Sequence, residues 1–142
     1  MKPKIEIYTT GYSQKSRTSY GAVMSAVAPD GRIMASEPSG MLGEFTKNQA
    51  DIISITMALR CVLPQYRDCE IILHGPPGYG GQVVEVGETG EYKSHPKSNV
   101  ELVQEARDTI KLFPNLKVVR THNYERPFKR CMEVAKQAWT SK

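Results

Sequence analysis

Ile5-Glu6-Ile7-Tyr8-Thr9-Thr10-Gly11-Tyr12 is the stretch from which the rest of the chain is read. Ile5, Ile7 and Thr9 alternate with Glu6, Tyr8 and Thr10, the period of two that a β-strand imposes. Gly11 has no Cβ, so it is expected to stop the strand or to let a ligand approach the backbone. A strand ending in a small-residue turn often carries a site. What the other segments bring to Thr10 therefore decides the function.

The chain has 142 residues, 39% of them hydrophobic. That is enough to bury one core without metal or disulfide staples, so a single domain over residues 1–142 is expected. No apolar run approaches the roughly 18 residues of a membrane span. Met1-Lys2-Pro3-Lys4 leads into a strand rather than into the apolar core of a signal peptide. Cys61, Cys69 and Cys131 have no metal-ligand spacing and each sits in an apolar pattern. Three buried thiols in a reducing compartment, cytoplasm or nucleoid, are the expectation. The net charge of +4 is uneven. Lys117, Arg120, Arg126, Lys129, Arg130, Lys136 and Lys142 face only Glu125 and Glu133 in the last stretch, and the body before it is near neutral. A basic end on a neutral body suits an anionic partner such as nucleic acid; it equally suits a solvated helix face.

In chain order, Gln14 to Ser19 reads as a polar linker and Tyr20 to Ala28 as a second strand. Pro29-Asp30-Gly31 is a turn, and Arg32 to Ser36 a third strand. Glu37 to Glu44, with Pro38, Gly40 and Gly43, reads as a loop. Thr46 is the expected N-cap of a helix whose face is Ile52, Ile55, Leu59 and Val62, ended by Pro64. Cys69 to His74 is a fourth strand, apolar enough to pair in parallel beside the first. Gly75-Pro76-Pro77-Gly78-Tyr79-Gly80-Gly81 offers no clean helix start, and Gln82 to Tyr92 suits a small hairpin. Ser98-Asn99-Val100-Glu101 has a capping-box pattern opening a second helix. Leu116 to Thr121 is a fifth strand, and Pro127 suits the first turn of a last helix. The order βββ-α-β-α-β-α predicts an α/β fold. Its five-stranded mixed sheet has strands 1, 2 and 3 antiparallel, strands 4 and 5 parallel to strand 1, and helices flanking it.

This order and several of its segments resemble type 1 ribonuclease H. Ile5 to Gly11 resembles that family's first strand, which runs into Thr-Asp-Gly-Ser. Thr46-Lys47-Asn48-Gln49-Ala50-Asp51 resembles its helix opening Thr-Asn-x-x-x-Glu. Cys69 to Leu73, Ser98 to Leu102, Val119 to His122 and Arg130 to Ala135 match, in order, the fourth strand, the next helix start, the strand leading to a mobile histidine, and the last helix. The resemblance covers nearly the whole chain and implies a ribonuclease H-like fold.

The family's chemistry needs four carboxylates holding two divalent ions roughly 4 Å apart, one of which activates water. Carried over position by position, these fall on Thr10, Asp51, Pro76 and Met132, with the histidine kept as His122. Only Asp51 is a carboxylate. Glu133 is next to Met132 but points about 100° away around the helix. A degenerate member that binds an RNA–DNA hybrid or structured RNA without cutting it is the expectation, needing neither Mg²⁺ nor Mn²⁺. The implied binding residues are Thr10, Gly11, Tyr12 and Ser13 at the strand end, and Lys47, Asn48 and Gln49 at the helix start. Arg120, Arg126, Lys129 and Arg130 would extend the footprint. Two alternatives stand beside this one. The first is a protein-interaction or inhibitory module using loop 75–81 and hairpin 82–92, whose Glu85, Glu88 and Glu91 repel phosphate. The second is a nuclease with a site rebuilt from His74, His122 and Asp51.

Overall fold

The computed structural model describes residues 2–15, 17–121 and 126–140. β1 (Lys4–Gln14) runs straight through Gly11 and pairs antiparallel with β2 (Arg17–Val27) along its whole length, Gly11 opposite Tyr20. The glycine therefore does not stop the strand, and the expected linker at 14–19 is the tip of a hairpin. What needs the missing Cβ is a helix: at Gly11 a Cβ would stand 2.5 Å from the carbonyl carbon and Cβ of Ala50. The missing Cβ admits the backbone of that helix, not the turn or ligand expected of it.

β3 (Ile33–Ser36) pairs with the far half of β2, and β4 (Ser39–Glu44) with the near half. β4 is the sixth strand, where a loop was expected. Its glycines suggest a chain break, but on an edge strand they are tolerated. A Cβ at Gly40 would stand 3.0 Å from the Tyr20 ring, and Gly43, at φ 113°, accompanies the register shift at Thr18/Ser19. β5 (Glu70–His74) lies parallel to β1 on its other side, and β6 (Leu116–Val119) parallel to β5. The order β3-β2-β1-β5-β6, with β4 also on β2, keeps the antiparallel and parallel pairings read from the sequence.

Successive residues of a strand point to opposite faces, and here each face has its helix. Thr9 donates its hydroxyl to the Ser54 carbonyl (3.1 Å) on α1 (Lys47–Arg60), while Tyr8 meets Phe128 edge-on (5.4 Å) on α4 (Arg126–Gln137). α3 (Val100–Ile110) joins the α1 side, so Ile5, Ile7, Ile52, Ile55, Leu59, Leu73 and Val103 share one core. α4 comes close because β2 has Gly21 beneath it; a Cβ there would be 2.2 Å from the Cys131 carbonyl oxygen. Thr46 caps α1 as expected, in a reciprocal box with Gln49.

Four further expectations change. The Ser98–Glu101 box does not form: Asn99 precedes α3 in the left-handed region, and its side chain accepts from Gln49 Nε2 (3.0 Å) instead. The segment 82–92 keeps one bridge, Val86 with Tyr92, around the 87–90 turn, and a four-residue helix, α2 (Tyr79–Gln82), begins inside the Gly-Pro stretch. Arg107 organises this segment, donating to the carbonyls of Val83 (3.0 Å) and Ser94 (2.9 Å) under the Tyr92 ring. Cys69 and Cys131 are buried, but Cys61 is exposed just past the end of α1. Among the described residues, no helix is long and apolar enough to cross a membrane.

Candidate nucleic-acid interface

The pairing of β1 with β5 ends at Tyr8 and His74. Beyond it, among the described residues, β1 has no strand neighbour on that side, and the N–H of Gly11 needs another acceptor. Asp51 supplies it. From the second turn of α1, its Oδ1 accepts the Gly11 N–H (2.7 Å), the Thr10 hydroxyl (3.2 Å) and the Lys47 ammonium (2.6 Å). Lys47 also reaches Thr10 Oγ1 at 3.4 Å. Thr10 is fully buried and Asp51 is 2% exposed. Burial holds the Asp51 carboxyl above the usual carboxylate range, and Lys47, Gly11 and Thr10 pull it partway back.

The Gly-Pro stretch closes over this carboxylate. A Cβ at Gly80 would stand 2.6 Å from the Asp51 Cβ and 3.2 Å from Pro76 Cγ. Gly75, Pro76, Pro77, Gly80 and Gly81 are buried, leaving only Gly78 and Tyr79 of that stretch with exposed surface. The loop expected as an interaction surface is a plug over the site. Arg120 straps it down, donating from Nη1 to the Gly78 carbonyl (2.9 Å) with its Nε 3.9 Å from Glu85.

Thr10 bonds Asp51 directly, Asp51 and Pro76 both flank Gly80, and Met132 is half-buried on α4. Hard divalent ions need several oxygen ligands, usually carboxylates. A buried threonine, a proline, a thioether and one ammonium-paired aspartate do not fit that need. Among the described residues, no group of three or more His, Cys, Asp or Glu side chains is placed to hold a metal. His122 lies outside the described residues. His74 stacks flat on Tyr8 (4.0 Å, 3°); its Nε2 lies 3.3 Å from Glu6 Oε2 without making a hydrogen bond.

The other implied binding residues divide by what already holds them. The Gly11 N–H and Thr10 hydroxyl are spent on Asp51, and Arg120 on the loop. Arg130 grips Glu37 through two bonds (2.6 and 2.7 Å) and Glu133 through a third (3.0 Å), and Gln49 bridges Thr46 and Asn99. At the surface stand Asn48, Arg126 and Lys129, with Ser13 and Tyr12 half-buried. Ser13 borders an open hollow with Glu44, Phe45, Thr46 and Gln49. The sequence reading missed Arg17, Lys136 and Trp139, which gather around Tyr12 on the α4 side. An isolated tryptophan beside basic residues near the end of a helix was the available signal.

A scan against family models and a search of curated proteins found no match. Solved structures match over almost the full length. RNase H1 from the halophilic archaeon Halobacterium salinarum NRC-1 has a TM-score of 0.70 at 19% identity, covering 98% of this chain and 99% of that one. The N-terminal RNase H domain of a Mycobacterium tuberculosis protein, fused to maltose binding protein, gives 0.70 at 17% identity, covering 98% and 95%. LC11-RNase H1 in complex with an RNA/DNA hybrid gives 0.68 at 21% identity, covering 94% and 95%. Element order, strand pairing and these likenesses agree: the chain has the ribonuclease H-like fold.

Proposed function

We propose that this protein binds nucleic acid, an RNA–DNA hybrid or a structured RNA, without cleaving it. The observation that carries this reading is the Lys47–Asp51 pair. Where two-ion chemistry calls for clustered carboxylates, this cleft presents one carboxylate turned inward and an ammonium whose side chain is 36% exposed. A partly exposed ammonium attracts phosphate without needing an ion to bridge the two charges. A neighbour of the same fold holds an RNA/DNA hybrid, which supports the substrate class. Lys47, Asn48 and Ser13 are the contacts assigned to the cleft, with Arg126 and Lys129 as flanking phosphate partners. Most of the 75–81 loop assigned to the protein-module alternative is buried, while much of segment 82–92 is exposed.

The test is a panel of hybrid, double-stranded and single-stranded RNA and DNA, titrated at several salt concentrations. Binding should weaken with a log–log slope of about −0.7 to −0.9 per phosphate contact. Lys47→Ala and Lys129→Ala should each reduce that slope by roughly one contact. Absence of binding to every member at low salt would refute the reading.

A further inference from the structure

The tip of the β1–β2 hairpin carries a group of side chains that the cleft does not use. The Tyr12 and Trp139 rings meet edge to face at 5.8 Å, both half-buried. Arg17 lies over the Trp139 ring at 5.1 Å, and the Lys136 ammonium over the Tyr12 ring at 5.4 Å. The indole is fixed in place: its Nε1 donates to Ser19 Oγ (2.8 Å), which donates in turn to the Ala135 carbonyl (2.7 Å). One carboxylate, Glu44, stands opposite Arg17 in the neighbouring strand.

Each part has a physical consequence. Aromatic faces stack on any unpaired base, and a ring held in one orientation loses little entropy when it does so. Cations beside the rings add attraction for the phosphates that link successive bases. Paired bases are already stacked on each other and cannot use the rings. We infer that this cluster is a stacking platform for unpaired bases of single-stranded RNA or DNA, a second nucleic-acid contact on the α4 side of the sheet. It extends the proposed nucleic-acid binding, with Tyr12 as the one residue it takes from the strand end next to Ser13.

Trp139 is the only tryptophan in the chain, so its fluorescence reports this site alone. An eight-nucleotide oligo(U) or oligo(dT), titrated at low salt, should quench it in a saturable way. The Arg17→Ala/Lys136→Ala variant, and separately Tyr12→Leu, should weaken that binding by about tenfold. Lys111→Ala, at the end of α3 on the other side of the sheet, should leave the quenching unchanged. Circular dichroism melts of each variant establish that it is folded. The inference is overturned if the oligonucleotide fails to bind, if it binds by anisotropy without changing the fluorescence, or if the charge and ring variants bind like wild type. A blunt hybrid that binds while single strands leave Trp139 unquenched would sink this inference and leave the cleft reading standing.

Discussion

The ammonium of Lys47 lies 2.6 Å from Oδ1 of Asp51, one helical turn along α1, with the carboxylate side chain 4% exposed and the lysine 36% exposed. The same oxygen takes the N–H that β1 presents where β5 ends. This pair therefore joins the helix to the sheet at the point where the β1–β5 pairing ends. Its balance is set by burial, which outweighs the ammonium and the two hydrogen bonds and keeps the carboxyl above its ordinary 3.8.

That direction fixes a pH dependence. A carboxyl whose folded value is raised binds protons more tightly in the native state, so its favourable contribution is complete below the unfolded value. The contribution is lost as pH rises through the folded value. Asp51→Asn keeps an acceptor for the Gly11 N–H and removes the titration. The Tm difference between Asp51→Asn and wild type should thus move in the mutant's favour between pH 3 and pH 7. Thermal melts across that range check it; a difference that moves the other way contradicts the assignment of burial as the dominant cause.

Two glycines should be irreplaceable for different reasons than a third. At Gly11 and Gly21 an added Cβ would meet backbone atoms of α1 and α4 at 2.5 and 2.2 Å, so Gly→Ala should cost about 3 kcal/mol, the upper end of the overpacking range. Gly31 has open space around it and a φ of 87°, and Gly31→Ala should cost only about 1 kcal/mol, from backbone strain. Urea unfolding of the three variants measures the ranking. Equal losses would mean that the helices do not approach the sheet as closely as described.

The fold was legible because its signals are periodic and local. Alternation in β1, the apolar run of β5, the Thr46 cap and the apolar face of α1 each have one physical reading. β4 was not legible, because Pro38 precedes it and Gly40 and Gly43 punctuate it, and the edge position on β2 makes those glycines harmless. The site was half legible. The resemblance implied that Thr10 and Asp51 share a site, but nothing in the sequence says that Lys47 pairs with Asp51 or that Arg130 grips Glu37 from 93 positions away. Side-chain partners across elements depend on packing that no local pattern encodes. The same limit hid the group around Trp139, whose members come from β1, β2 and the end of α4.

The thiols should separate sharply. Burial pushes Cys131 up to about 12 and raises Cys69, whereas Cys61 is exposed, with its Sγ 3.9 Å from the Tyr20 hydroxyl. A thiol-disulfide reagent at pH 8 should titrate one rapid equivalent in the native protein and all three after denaturation. Cys61→Ser should remove the rapid phase. More than one rapid equivalent in native wild type would contradict the burial of the other two.

The most direct measurement is a single titration of an end-labelled RNA–DNA hybrid with the protein, followed by anisotropy in EDTA and in Mg²⁺ or Mn²⁺, with the strands then sized on a denaturing gel. Asp51→Ala serves as the control. The account predicts saturable binding of similar strength with and without the divalent ion, and full-length strands for wild type and control alike. Strands shortened by wild type in the metal-containing samples, and left intact by Asp51→Ala, would contradict it.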